Sequence, residues 1–376
     1  MRRGIDVEVY EQAAELREVG AGLQLSANGT RVFYELGAGE ELKWLSCEAT
    51  GKEIRLWSTG ETWKLFDLGK VSVERYGYPY FTVYRPDLLD VLAVAIRRVK
   101  PDAIHLGAKC VGFAQTVDHV ELKLENGKSI FGDALVGADG VHSTIRQALF
   151  GPDKPKFSGT MAWRGIVPME RLPPHMARMV GVNWVGPGGH VVHYPLRAGE
   201  VMNVVAAVER SDWQIESWSA RGTTEELAGD FAGWHEDVQA LIRNIPVPYK
   251  WALMVRPPMA RWTVGRVTLL GDACHSMVPF LAQGAVMAIE DGFILARALS
   301  ELGDDVPSCL IRYENARRER TRRAVEGSAD NIARFHNRAL ADPVQARRYV
   351  EREWAGQNVA SRYEWLFRYD VTALAL

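Results

Sequence analysis

The chain has 376 residues, 47% of them hydrophobic and 24% charged, and a formal net charge of −2. That length exceeds what a single hydrophobic core holds, so two domains of a globular protein are expected. The balanced charge gives no electrostatic case for nucleic acid or an anionic membrane as partner, and no apolar run is long enough to cross a bilayer. The first residues, Met-Arg-Arg-Gly-Ile-Asp, carry no signal-peptide core. Cys47, Cys110, Cys274 and Cys309 lie far apart without metal-type spacing, which predicts reduced thiols and a cytoplasmic protein. Twelve each of Trp, Tyr and Phe suffice to build either a core or a pocket around a flat ligand.

Along the chain, Ile5–Tyr10 alternates like a strand and ends at Glu11. An acid in that place, at the end of the second strand of a dinucleotide-binding unit, bonds a ribose hydroxyl, with a glycine fingerprint about 20 residues before it. Only ten residues precede Glu11, and Arg2-Arg3-Gly4 reads as the tail of a helix. The chain is therefore expected to begin inside a βαβ unit. Gly20-Ala-Gly22 and Gly37-Ala-Gly39 lack a third glycine and do not supply the missing loop. A turn over Gly20–Asn28 leads to a helix at Gly29–Leu36, and Glu53–Phe81 is β-rich and aromatic. A helix starts near Tyr84, with Pro86 in its first turn and Leu88, Leu89, Leu92 and Ile96 on one face; Arg85 stands at its start. Val120–Leu124 and Lys128–Phe131 form a hairpin around Asn126-Gly127. The strand Ala134-Leu-Val-Gly ends in Asp139-Gly140, followed by Ser143 and Arg146.

From Thr160 to Pro257 the pattern becomes alternating segments, Met161–Val167, Met179–Trp184, His190–Tyr194 and Met202–Val208, with a helical patch at Thr224–Ile245. This predicts a mainly antiparallel sheet. From Ser308 a long helix carries Arg312, Arg317, Arg318, Arg320, Arg322 and Arg323, read as a solvated face with ion pairs at i,i+4 spacing.

The most informative stretch is Val267-Thr-Leu-Leu-Gly-Asp272, a buried-type strand ending in Gly271-Asp272, followed by Pro279 and by a helix opening at Gly284. Ligands of open parallel sheets sit outside the carboxyl ends of the strands. There an acid accepts hydrogen bonds from a polyol, and a helix N-terminus offers free N–H groups to an electron-rich ring edge. Cys274 beside it reads as a small buried filler.

This unit, Asp139-Gly140 with Ser143 and Arg146, and Tyr313-Glu-x-x-Arg317-x-x-Arg320 together resemble the single-component flavoprotein aromatic hydroxylases. The resemblance runs from Ile5 to about Tyr369. It implies an α/β fold: a Rossmann-like FAD-binding domain with an inserted, mainly antiparallel β-sheet substrate domain and long C-terminal helices. The expected limits are 1–155 and 258–305 for the FAD domain, 156–257 for the substrate domain with help from 53–81, and 306–376 for the C-terminal helices. It also implies FAD, NADH or NADPH as transient reductant, O2, and hydroxylation of a small aromatic acid of the hydroxybenzoate or salicylate type through a flavin C4a-hydroperoxide. The protein is expected to be a monomer or homodimer.

The residues implied for FAD are Glu11, Ala21, Gly22, Arg85, Asp139, Gly140, Arg146, Gly271, Asp272, Gly284 and Ala285. Pro279 would border the reacting edge of the flavin, and Gln283 would orient the substrate or the peroxide. A phenol reacts far better once its proton is removed, and a histidine suits that task. The resemblance to the 3-hydroxybenzoate 6-hydroxylase branch around Val191–Pro195 makes His193 the expected base, with a structural histidine as the other reading. Tyr194, Phe280, Trp163 and Trp184 are the expected pocket walls, and His275 is read as structural. Relatives often carry glycine where Ala282 stands. The absent glycine loop leaves three readings: a start codon upstream, a truncated chain that binds flavin poorly, or a non-catalytic aromatic-ligand-binding protein on the same fold.

Overall fold

The computed structural model describes residues 1–16, 21–212, 220–301 and 305–376. Short apolar segments pair in parallel: Val9–Tyr10 with Ile104–His105, and Leu135–Gly137 with Val267–Leu269. Val267–Leu269 is fully buried, as a strand covered on both faces must be. Helices Ala27–Glu35, Arg85–Val99 and Gly284–Glu301 flank this part, with Pro86 in the first turn of the second as expected. The Asn-Gly hairpin forms between Val120–Leu124 and Ser129–Gly132, and Cys110–Gln115 adds a third strand to it.

Above lies a seven-stranded sheet. Its order is Tyr249–Val255, Lys156–Pro168, Val201–Glu209, Gly189–Leu196, Val180–Gly186, Gly51–Leu56 and Thr62–Asp67. All neighbours are antiparallel except Val180–Gly186 with Gly51–Leu56. The mixed α/β architecture agrees with the expected fold class, and strands from the 53–81 territory extend the sheet. That territory also holds a helix the alternation did not reveal, Lys70–Tyr76.

The predicted helical patch is two helices, Thr224–Asp230 and Glu236–Arg243, the first closed by a Thr223/Glu226 capping box. They cover the outer face of the sheet, where Trp163, Trp184, Val191 and Val204 pack with Leu227, Phe231, Leu241 and Ile242.

The C-terminal helix Val306–Phe335 is not merely a solvated face. Arg317 is fully buried and its guanidinium reaches Glu290 and Asp291, each at 2.7 Å. Arg320 pairs with Glu290 at 2.8 Å, whereas Arg322 meets Glu319 and Glu326 at the surface as the pattern implied.

Candidate active site

Between the parallel strands and the inner face of the sheet lies a cavity of about 540 Å3. Its floor is built from the turn at Ala21–Gly22, the start of the Arg85 helix, Gly140, and the run from Leu270 to Ala285. Of the residues expected from the sequence, Ala21, Gly22, Arg85, Gly140, Gly271, Asp272, Pro279, Phe280, Gln283, Gly284, Ala285 and Tyr194 all line it. Gly20, part of the same turn motif, falls outside the described residues.

Asp272 sits where the buried strand ends, after Gly271 turns with a φ of +64°. Asp272 lines the cavity and is itself solvent-exposed. Desolvation by the protein around it still raises its pKa, and His275 and Arg85 pull it back only in part. A carboxylate on the cavity wall accepts hydrogen bonds from the hydroxyl groups of a ligand. Gly271 itself is tied down: its N–H donates to Asp291 Oδ2 at 3.2 Å, and His275 Nε2 meets the same oxygen at 2.5 Å. His275 is thus part of the buried ion cluster. Cys274 is buried, its thiol pushed well above its ordinary pKa by burial, which suits a filler and not a nucleophile.

Pro279–Leu281 forms a single 3-10 turn, and Ala282 then takes a left-handed conformation with a φ of 55° before the 18-residue helix opens at Gly284. Left-handed backbone costs an alanine about 1–2 kcal/mol, against about 0.5–1 kcal/mol of extra entropy lost by glycine. Ala282→Gly is therefore expected to stabilise the protein by about 0.5–1 kcal/mol. Denaturant unfolding reads this directly; a lower midpoint would show that the loop is not strained there.

Gln283 is committed. Its Nε2 donates to Ser26 Oγ at 2.9 Å and its Oε1 accepts from Asn28 at 3.3 Å, while Asn28 also donates to Glu290 at 2.7 Å. It holds the helix start against the Ser26 turn. Gly22 brings floor and roof close together: its N–H donates to Asn203 Oδ1 at 2.9 Å, and a Cβ there would stand 2.7 Å from the Tyr194 ring.

The roof follows the two-residue period of a strand. In Gly189–Leu196, His190, Val192 and Tyr194 face the cavity, together with Lys52, Asn183, Asn203 and Arg164 from neighbouring strands. His193 has the opposite parity and does not line the cavity. It pairs with Val182 and Val204 over the outer core, neither ring nitrogen has a protein partner among the described residues, and burial, then the nearby Arg55 charge, push its pKa down to about 3. The expectation that His193 meets the substrate is corrected: the histidine of this strand that reaches the cavity is His190.

His190 Nδ1 lies 2.7 Å from His336 Nε2, and His336 Nδ1 lies 3.1 Å from Glu209 Oε1. The carboxylate can only accept, so His336 carries its proton on Nδ1 and His190 donates from Nδ1 to His336 Nε2. The lone pair of His190 Nε2 is left for the cavity. Burial, and after it the repulsion that two neighbouring protonated rings would feel, holds His190 well below the usual imidazole pKa, so it is neutral.

Trp163 and Trp184 also fall on the outer face, by the same parity. Trp163 donates from Nε1 to Asp230 at 2.7 Å, and Trp184 stacks on His235 with ring centroids 5.1 Å apart. Asp139 does not reach the cavity: it accepts from Ser143 Oγ and from the Ile145 N–H, fixing the start of helix Thr144–Phe150. Arg146 is buried and donates to the carbonyls of Ala273 and Val141. Glu11 accepts from the Ala13 N–H at the end of its strand, away from the cavity. Phe335 and Tyr363, from the C-terminal helices, complete the walls; nothing in the local pattern marked them.

The residues present fit the ribityl chain and ring of a flavin. Asp272 offers acceptor oxygens on the cavity wall, the Gly284 helix start lines the cavity, and Gly271 and Gly22 keep backbone close. The FAD binding domain family matches residues 1–328. The chain is 36% identical over 370 residues to 3-amino-4-hydroxybenzoate 2-monooxygenase of Streptomyces platensis, covering 98% of this chain and 91% of the relative. It is 33% identical over 378 residues to 3-hydroxybenzoate 6-hydroxylase of Polaromonas naphthalenivorans, covering 99% and 92%. It superposes on Klebsiella pneumoniae HpxO complexed with FAD and uric acid with a TM-score of 0.81 at 26% identity, covering 96% and 92%. The chain belongs to the FAD-dependent aromatic hydroxylases: it is a flavoprotein monooxygenase with FAD as cofactor, and NAD(P)H is the reductant typical of this family.

Proposed function

We propose that the protein hydroxylates a small phenolic aromatic acid, with O2 as the oxygen source, and that His190 accepts the phenolic proton. The observation that carries this is the chain from His190 through His336 to Glu209. It sets a neutral imidazole against the cavity and leads to a carboxylate whose side chain is 54% exposed. As the phenol gives its proton to His190 Nε2, His190 passes its Nδ1 proton to His336 Nε2, and His336 passes its own to Glu209. The phenolate is then formed without a charged imidazole left in the apolar cavity.

FAD, when bound, supplies the activation of oxygen. The chain's own residues would bind and orient it: Asp272 would take the ribityl hydroxyls, the Gly284–Ala285 N–H groups would serve the pyrimidine edge, and Arg85 would hold the flavin side chain. Pro279 and Phe280 border the reacting space and, with Val192 and Val205, exclude water. The relatives act on aminohydroxybenzoate and hydroxybenzoate, which supports an aromatic acid and does not favour a non-catalytic binding protein. Four free cysteines suit a reducing compartment such as the cytoplasm.

The test is NAD(P)H oxidation by the FAD-loaded protein, with and without each monohydroxybenzoate, and mass spectrometry of the product. Stimulated oxidation with one oxygen atom added to the ring is expected. Oxidation that no hydroxylated aromatic acid stimulates would sink the reading.

A further inference from the structure

Lys52 is a cation in the wrong place for a structural lysine. It lies on the inner face of the sheet in strand Gly51–Leu56 and lines the cavity. Its strand partner across the ladder is Gly181, and the Lys52 stem runs over that bare backbone, with Cγ and Cε 3.5 and 3.6 Å from where a Gly181 Cβ would stand. The ammonium then sits 5.1 Å from the Tyr80 ring centroid and 5.9 Å from that of Phe66. Among the described residues no acid comes within ion-pair distance of it. The neighbouring Glu53 is taken by Arg55 and Arg178. Arg197, Lys250 and Arg256, other cations of this half of the molecule, each hold a carboxylate. Enclosure without a counter-charge pushes the Lys52 pKa down to about 7.

A desolvated ammonium with aromatic neighbours and no protein anion, open to a cavity, is a site for an anion brought by the ligand. The floor does not need it, since the positive end of the Gly284 helix already faces the flavin position. Nor does the phenol end: the His190 register position on Lys52's own strand is Leu56, through Val185. His190 and Lys52 are thus two strands across and four residues along from each other, about 16 Å between Cα atoms at usual sheet spacings. We infer that Lys52 binds the carboxylate of the aromatic acid substrate, holding the ring by its acid end while its hydroxyl faces His190. The inference rests on the reading of the substrate as a phenolic aromatic acid. Lys52 is then the residue that makes the enzyme choose acids.

The test is a comparison of charge on both sides of the contact. The FAD-loaded protein is titrated with each of the three monohydroxybenzoates and with the matching hydroxybenzamides, following the flavin absorbance. The same titrations are made on Lys52→Met and Lys52→Arg. A hydrogen bond to a charged group sets the scale, so wild type is expected to prefer at least one acid over its amide by roughly 10- to 100-fold. Lys52→Met is expected to bring that ratio close to one by weakening the acid alone, raising KM while kcat at saturation changes by only a few-fold. Lys52→Arg is expected to keep most of the preference. Lys52 has no ion-pair partner among the described residues, so its removal is not expected to lower Tm; Lys52→Gln gives a second uncharged side chain for the same readout. An acid-over-amide ratio that survives in Lys52→Met overturns the role of Lys52 and leaves the aromatic-acid reading standing. Equal weakening of acid and amide marks a purely structural lysine and overturns it too. No preference for any acid in wild type overturns the aromatic-acid reading, and Lys52 falls with it.

Discussion

Replacing His190 with phenylalanine is expected to lower kcat on a phenolic substrate by about 10²- to 10⁴-fold, the range that a positioned general base contributes. The same change at His193 is expected to leave kcat within a few-fold. Both residues are histidines of one strand, three positions apart, and both are buried. They differ in facing: His190 lines the cavity and is chained to His336, whereas His193 has no partner on either nitrogen among the described residues. Flavin binding should survive both changes, because neither side chain belongs to the floor. Stopped-flow turnover of the two variants with a hydroxybenzoate decides it. Equal losses, or a larger loss at His193, would reject the assignment of the base.

The largest expected loss of stability comes from Arg317→Met, about 3–5 kcal/mol, because one guanidinium compensates two buried carboxylates. Burial pushes the Glu290 carboxyl up, and Arg320 and Arg317 more than offset it; for Asp291, His275 and Arg317 do the same. Both therefore end below the usual carboxylate range. Their contribution is present above the unfolded-state pKa and is lost as pH falls through the folded one. His190 and His193 act in the same direction, since each is held neutral in the fold and must take a proton in acid. Stability should thus begin to fall below about pH 6.5, the ordinary imidazole pKa, and fall further in the carboxylate range. The variant should also release FAD more readily, because Asp291 fixes the Gly271 N–H beside Asp272. Denaturant unfolding and flavin retention after desalting measure the two effects. A loss under 1 kcal/mol at neutral pH would mean that water or another cation takes the place of Arg317.

The floor of the site was legible because its parts are consecutive in the chain. A strand, Gly271-Asp272, Pro279 and a helix opening at Gly284 follow one another within twenty residues, and each carries its own backbone signature. The roof was legible as a sheet but not as a surface. Strand alternation says that His190 and His193 face opposite sides, yet it does not say which side meets the ligand. That choice was settled by Val191, Trp163 and Trp184 packing on helices Thr224–Asp230 and Glu236–Arg243. Tyr194, which lines the cavity, shares the parity of His190 and not that of His193. Lys52, Phe335 and Tyr363 come from distant segments, and no local periodicity brings them to one cavity. The arginine-rich helix misled in part, since a run of charges looks alike whether its partners are water or two acids from a neighbouring helix.

The roof sheet joins strands from residues 51–67 to strands from residues 156–255, through the one parallel contact between Val180–Gly186 and Gly51–Leu56. This ties residues from two distant stretches of the chain into one sheet. The early strands must wait, unpaired, while the intervening chain is made, so the fold carries a high contact order and the slow closure that goes with it. The segment 156–257, cut out alone, would present Val180–Gly186 as a bare edge, open to pairing with another copy. The roof of the cavity is therefore not a portable module: moving it intact requires the Gly51–Asp67 strands to travel with it.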